Sequence, residues 1–432
     1  MEERWSTEHV LSLAPDAASQ KAAGKLSSPA PWSGTGTDGT AVWGECKGSG
    51  RTPYRTAIEL ATPAYQCSCP SRKFPCKHAL GLLLLWSGSD GAVPAGEPAG
   101  WVDEWLKGRQ ERAEKRVEKV PDPEAVRRRA EKRGAEIAPG AAELRLRLAD
   151  RVRHGLADQS TAGPWEEVAA RMVDAKAPGL ATRVRELDTL PQERLLEEYA
   201  MLHLLATAAT RVGELPAELA ATVQARVGHT LEKAEVLAGP TVRDRWLVLG
   251  SRDSSDERLT TRRIWLHGAK TGRPALLLDF GRPGQAPALA LPTGRLVEAE
   301  VGYYPGAHPL RAALGARYGA PEPDPADPPA GLTVAEAVAG YGTALADDPW
   351  LESRPTVLAD VVPVRTPDGW YLTDGHHTVP VRTSSVPESA LWRLAAVSTG
   401  RPLTVFGEFG HRGFDPVTAW PAGQRPVGLT NP

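Results

Sequence analysis

The sequence predicts an α+β fold in three parts: a small ββα module near the N-terminus, a helical middle region and a β-rich C-terminal region. Three observations carry this expectation. Residues 65–85 read "YQCSCPSRKFPCKHALGLLLL", which crowds three of the four cysteines into ten residues and then runs straight into leucines. From 101 to about 239, apolar residues recur at helical spacing among many charges. Beyond that point short alternating or apolar runs such as "RWLVLG", "RRIWLHG" and "ALLLDFG" take over.

A chain of 432 residues has room for about three domains, and 41% hydrophobic residues suffice for real cores. The longest apolar run, Ala79–Trp86, is far short of the ~20 residues of a membrane span. The N-terminus "MEERWSTEHV" is acidic and lacks the apolar stretch of a secretory signal. These features predict a cytoplasmic protein with no membrane association. Clustered cysteines in a reducing compartment favour metal binding over disulfides. The net charge of −2 discriminates nothing, but its distribution is uneven. Residues 47–78 hold six lysines and arginines against one acid, and 107–133 hold eleven against six. Arginine outnumbers lysine and Asn431 is the only asparagine. That compositional bias weakens any argument from arginine runs alone.

Element by element, residues 1–40 contain "SSPAPWSGTGTDGT" and read as irregular. Residues 41–90 form the module: "AVWGECKGS" and "YRTAIELATP" alternate like strands, and "KHALGLLLLW" reads as a short buried helix. Residues 91–100 are a linker by composition. Residues 101–239 are helical. The charged "VDEWLKGRQERAEKRVEKV" is interrupted by Pro121 and Pro123, and Thr189 with Gln192 suggests a capping box. Leu195, Leu196, Tyr199 and Leu202 line one face of that helix. Residues 240–320 are a β-rich subdomain and 321–331 a Pro/Asp linker. In 332–432, Thr333 and Glu336 cap a helix. A β-meander follows, turned at Asp368-Gly369 and Asp374-Gly375. A second helix runs from Ser385 to Gly400, and "PLTVFGEFG" is expected as a closing strand.

Cys67, Cys69, Cys76 and His78 have the spacing C-x-C-x6-C-x-H. Zn2+ takes four such ligands in a tetrahedron. Residues i and i+2 of a strand point the same way, so Cys67 and Cys69 can face one ion. "PSRKFP" turns the chain back, and Cys76 and His78 complete the cage at the start of the leucine helix. A module this small buries little core, so the metal supplies part of its folding free energy, ~10–16 kcal/mol in zinc-finger peptides. Three thiolates and one histidine leave no position for a water, so the single zinc is expected to be structural. Cys46 falls outside the spacing and reads as a small buried residue, with an alternative-ligand role as the lesser possibility.

The motif resembles the SWIM zinc finger, with "CSCPSRKFPCKH" carrying the match and the flanking strands and helix its ββα frame. The resemblance implies Cys67, Cys69, Cys76 and His78 as zinc ligands, and DNA or protein as the finger's target. The whole chain also resembles a bacterial group of SWIM-finger proteins. Those are encoded beside a MoxR-type AAA+ ATPase and a von Willebrand A-domain protein, which that resemblance implies as partners.

Arg72, Lys73 and Lys77 lie on or beside the ligand loop and can contact a protein partner or the phosphates of DNA or RNA, with Phe74 stacking on an unpaired base. An enzyme is the least supported class. "GSGRTP" and "GAKTGR" lack the spacing of a phosphate loop, and no nucleophile elbow or H-E-x-x-H occurs. Asp374, His376 and His377, with His411 joining them in space, are the one candidate cluster, and Asp374-Gly375 is itself a turn signal. The sequence therefore predicts a non-enzymatic interaction protein.

Overall fold

The computed structural model describes the chain apart from residues 1–3, 6, 15–16, 49, 51, 61–63, 72, 74, 89–90, 118–122, 157–164, 257–258, 284–286, 320, 323–325, 384–385 and 430–432, and without the side chains of 8, 9, 12, 17, 111–117, 123–131 and 133. Helices α1 (Thr7–Ser12) and α2 (Ala17–Gly24) precede an antiparallel sheet in the order β1 (Trp32–Thr37), β2 (Ala41–Cys46), β3 (Tyr54–Glu59), β4 (Ala64–Cys67). Helix α3 (Lys77–Gly88) carries the leucines, and every residue from His78 to Trp86 is buried. A helix apolar all round needs partners on all sides. One side of α3 meets Val42 and Ile58 of the sheet, and the other meets Val10, Leu13 and Ala23. Trp5 packs edge-on against Trp86 at 6.2 Å. Gly81 permits the close approach, since a Cβ there would lie 2.6 Å from Leu26 Cβ.

Residues 1–40 are therefore not irregular. Helices of six and eight residues and the Gly/Thr-rich β1 carry too little periodicity to be read locally, and the rear face of α3 orders them. The 91–100 segment is also tied down: Val93 is buried, and Ala95 bridges to Thr37 beside β1. Helix α4 (Gly100–Val117) crosses the opposite face of the sheet, placing Trp101, Val102, Trp105 and Leu106 on Ala41, Trp43 and Ala57. The sheet is thus covered on both faces.

Helices α5 (Pro123–His154), α6 (Trp165–Asp174), α7 (Pro178–Glu186), α8 (Gln192–Thr210) and α9 (Ala217–Val227) form a bundle, with short α10 (Lys233–Ala238) after it. Ile137, Ala141, Leu144 and Leu148 of α5 interleave with Leu195, Tyr199, Leu202 and Leu205 of α8. Two details differ from the sequence reading. The N-cap of α8 is Pro191, and Thr189 instead donates its hydroxyl to Glu186 O in a preceding 3-10 turn. Leu196 is 58% exposed; the apolar stripe continues through Leu205 and Ala206.

The next unit is a closed barrel of β5 (Thr241–Ser255), β6 (Thr260–Gly268), β7 (Pro274–Gly281), β8 (Leu296–Tyr303) and β9 (Arg311–Arg317), ordered β5-β6-β7-β9-β8. The long β5 pairs with β8 over its first half and with β6 over its second, and β7 and β9 pair in parallel. This is the connectivity of an OB barrel. Trp246, Val248, Ile264, Leu266, Leu277 and Val301 fill the interior.

The C-terminal unit holds α11 (Val334–Asp347), β10 (Ser353–Thr366), β11 (Gly369–Thr373), β12 (Thr378–Pro380), α12 (Glu388–Ser398), β13 (Leu403–Gly410), β14 (Gly413–Trp420) and β15 (Val427–Gly428). Its sheet order is β12-β11-β10-β13-β14-β15. The Thr333–Glu336 capping box is present. Ser385 lies outside the described residues; the N-cap of α12 is Pro387, and Thr399 ends the helix in the left-handed region. "PLTVFGEFG" is the interior strand β13 rather than a closing one, because β14 follows and is buried along its length.

The units interlock. Outward-facing Leu247, Leu249, Trp265 and Leu276 of the barrel pack on Phe406, Val417 and Trp420 of the sheet. The backbones come so close that a Cβ on Gly250 would sit 2.6 Å from Val417 Cγ1. Trp350, just after α11, enters the core of the helical bundle.

Candidate metal centre

The cage is built where the edge strand ends and the leucine helix begins. β4 delivers Cys67, and Cys69 follows two residues later. Cys76 precedes α3, where its Sγ accepts the N–H of Ala79 at 3.4 Å, and His78 lies in the first helical turn. Thiolates at a helix N-terminus are favoured by the helix dipole and its free N–H groups. The four ligand atoms all lie within 4.8 Å of one another, and Cys67 Sγ is 3.8 Å from His78 Nδ1. A tetrahedron with Zn–S of about 2.3 Å and Zn–N of about 2.0 Å has edges of about 3.5–3.8 Å, so the donors fit zinc by type, number and spacing.

The surroundings hold the donors in place. Thr56 Oγ1 is 3.2 Å from Cys67 Sγ, across the β3–β4 pairing in which the two residues stand opposite each other. The Tyr54 ring lies 4.9 Å from that of His78. Cys76 and His78 are buried, Cys67 and Cys69 partly so. Without metal the thiols share protons: hydrogen bonding from Cys67 and Cys76 draws the Cys69 thiol far down. The same sharing, with burial, pushes Cys76 up. Burial lowers the pKa of His78, yet its contacts with Cys67 and Cys69 outweigh this and raise it to about 9. The cage therefore attracts positive charge.

Residues 54–86 match the SWIM zinc finger. Residues 132–227, which hold α9, α8, α7, α6 and most of α5, match the SWIM-associated four-helix bundle domain. No curated protein and no solved structure matches the chain. Cys67, Cys69, Cys76 and His78 are thus the ligand set of a SWIM finger, positioned to bind one zinc ion.

Of the contact residues expected from sequence, Lys73 and Lys77 are exposed beside the cage, while Arg72 and Phe74 lie outside the described residues. Arg55 pairs with Glu45 at 3.2 Å and stacks over Trp101, and Arg109 of α4 pairs with Glu59 at 2.9 Å. These two arginines serve the packing of α4 on the sheet. Cys46 is buried on β2, separated from β4 by β3, and does not join the cage.

The second cluster does not assemble. Asp374 accepts the N–H groups of His376, His377 and Val334, which hold its carboxyl down at about 2 and make it a turn and helix-start anchor. His411 instead meets Tyr341 Oη at 3.3 Å and faces Glu197 of the bundle at 3.8 Å. Among the described residues, the SWIM cage is the one group of three or more His, Cys, Asp or Glu side chains able to hold a metal. No helix among the described residues is long and apolar enough to cross a membrane. Thr56 and Tyr54 escaped the sequence reading, because only the β3–β4 register sets Thr56 opposite Cys67 and only the packing of α3 on the sheet brings the His78 ring to Tyr54.

Proposed function

We propose that the protein is a non-enzymatic adaptor whose zinc fixes a recognition loop for a protein partner. The observation that carries this reading is the closed four-donor cage, whose sheet is covered by α3 on one face and α4 on the other. A metal with all four positions taken by protein activates no water. With both faces covered, the ligand loop stays open to solvent, and Gln66, Ser68, Pro70, Ser71, Lys73 and Lys77 are exposed there. A polar loop anchored at both ends by metal ligands suits a limited footprint on another protein, and a MoxR-type AAA+ ATPase or a von Willebrand A-domain protein is the partner class that the sequence resemblance names. The test is affinity capture with the intact chain beside Lys73→Glu/Lys77→Glu and Cys76→Ser. Recovery of the same partner by all three would defeat the reading.

DNA or RNA binding is the second reading, favoured by the exposed Lys47, Lys73 and Lys77 near the cage. Such binding weakens steeply with salt, by about 0.9 in log K per log salt for each duplex phosphate contacted. The barrel offers this reading little help. In OB barrels the face of the second and third strands receives oligonucleotides, and here the C-terminal sheet covers it. Titration with single- and double-stranded oligonucleotides at two salt concentrations separates the readings.

A further inference from the structure

A cavity of about 410 Å3 lies far along the chain from the finger, where three units meet. Its walls come from α9 and the segment after it, from the β8–β9 loop of the barrel, and from Asp348 after α11. The geometry is fixed by polar contacts. Ala307 N–H donates to Thr222 Oγ1 at 2.8 Å, which fastens the barrel loop to α9. Arg226 donates to Asp348 at 2.8 Å, and Asp348 also accepts the Trp350 N–H at 3.0 Å. His308 faces Asp347 at 3.3 Å.

Arg226 and His308 each face a carboxylate, whereas Arg311 does not. Its guanidinium lies 4.5 Å over the Tyr304 ring, and no acid among the described residues comes within ion-pair distance of it. Ala225, Leu231, Pro305 and Leu310 make much of the remaining wall apolar. Ligand sites are typically cavities of this size between domains, largely apolar with a few directed polar groups. A half-buried arginine held over an aromatic ring can present its planar fork to a carboxylate or a phosphate.

We propose that this cavity binds a small organic anion, a carboxylate or phosphate ester on an apolar body, with Arg311 recognising the charge. Bound there, the anion touches the bundle, the barrel and the C-terminal unit at once.

The test titrates the full chain by calorimetry with phenyl phosphate, with hippurate and with neutral benzamide. An anion binds, benzamide binds at least about tenfold more weakly, and Arg311→Met weakens the anion at least about tenfold, since a charge-assisted pair exceeds one such step. Ala225→Trp, at an exposed wall position, fills the space and abolishes binding with Arg311 intact, so the outcome does not hang on one variant. Arg401→Met, at an exposed arginine in the turn after α12, leaves binding unchanged. Preference for phenyl phosphate or hippurate assigns the charged group. The proposal is overturned if neither anion binds at millimolar concentration, if benzamide binds as tightly, or if folded Arg311→Met or Ala225→Trp protein binds unchanged.

Discussion

Thr56 Oγ1 stands 3.2 Å from Cys67 Sγ, one strand away from the cage it supports. Thr56 is itself fully buried, and once metal binding makes the Cys67 sulfur a thiolate, which can only accept, the Thr56 hydroxyl is the donor. Groups that orient a ligand in this way are typically worth about 10–100-fold in metal affinity. Thr56→Val keeps the shape and removes the donor. The expected outcome is weaker zinc binding within that range in a chelator competition, with the far-ultraviolet spectrum of the zinc-loaded protein unchanged.

Zinc binding should release protons. Without metal, His78 stays protonated up to about pH 9, and the raised Cys76 thiol also keeps its proton at neutral pH. Zinc must displace them, so affinity rises with pH, by about tenfold per pH unit for each proton displaced. Calorimetry in buffers of different ionisation enthalpy measures the count, and a value near zero at neutral pH contradicts the geometry. The metal-free finger behaves in the opposite sense. With a folded pKa above the ordinary value, charged His78 stabilises it below about pH 6.5 and that contribution is lost as pH rises through about 9.

The cage was legible in the sequence because its geometry is local. Cys67 and Cys69 are i and i+2 of one strand end, and Cys76 and His78 flank one helix start. Everything that depends on pairing between distant segments was not. The parallel β7–β9 contact that closes the barrel joins residues more than thirty positions apart and leaves no periodic mark. β14 was missed because "GFDPVTAW" contains Asp415 and Pro416, which argue against an interior strand. In the fold, Pro416 sits beside a register shift against β13, and Asp415 is buried among arginines.

That aspartate is a point of failure for the barrel–sheet contact. Asp415 is 3% exposed and accepts from Arg252 at 2.8 and 3.1 Å and from Arg382 at 3.1 Å. Removing one partner of a buried pair leaves an uncompensated charge and costs about 3–5 kcal/mol. Asp415→Ala should lower stability by that order in denaturant unfolding. Arg252→Met in the same chain should restore part of the loss, because one of the stranded cations is then gone too.

Trp350 tests whether the bundle and the C-terminal unit fold as one. It is 6% exposed, lies among the bundle's core residues and donates its indole N–H to Met201 O at 3.1 Å, yet it belongs to the segment between α11 and β10. The flanking residues reinforce the link, since Asp348 pairs with Arg226 and Glu352 with Arg183. Truncating a buried tryptophan costs about 3–5 kcal/mol through lost burial and the cavity left behind. Trp350→Ala should therefore destabilise the protein by that order and split a shared unfolding transition into two. Hydrogen exchange gives the sharper readout: amides of α8 around Met201 and of β10 around Ser353 should lose protection together, while those of the zinc finger's α3 keep theirs. Loss confined to one of the two units would mean that the indole fills space there without coupling them.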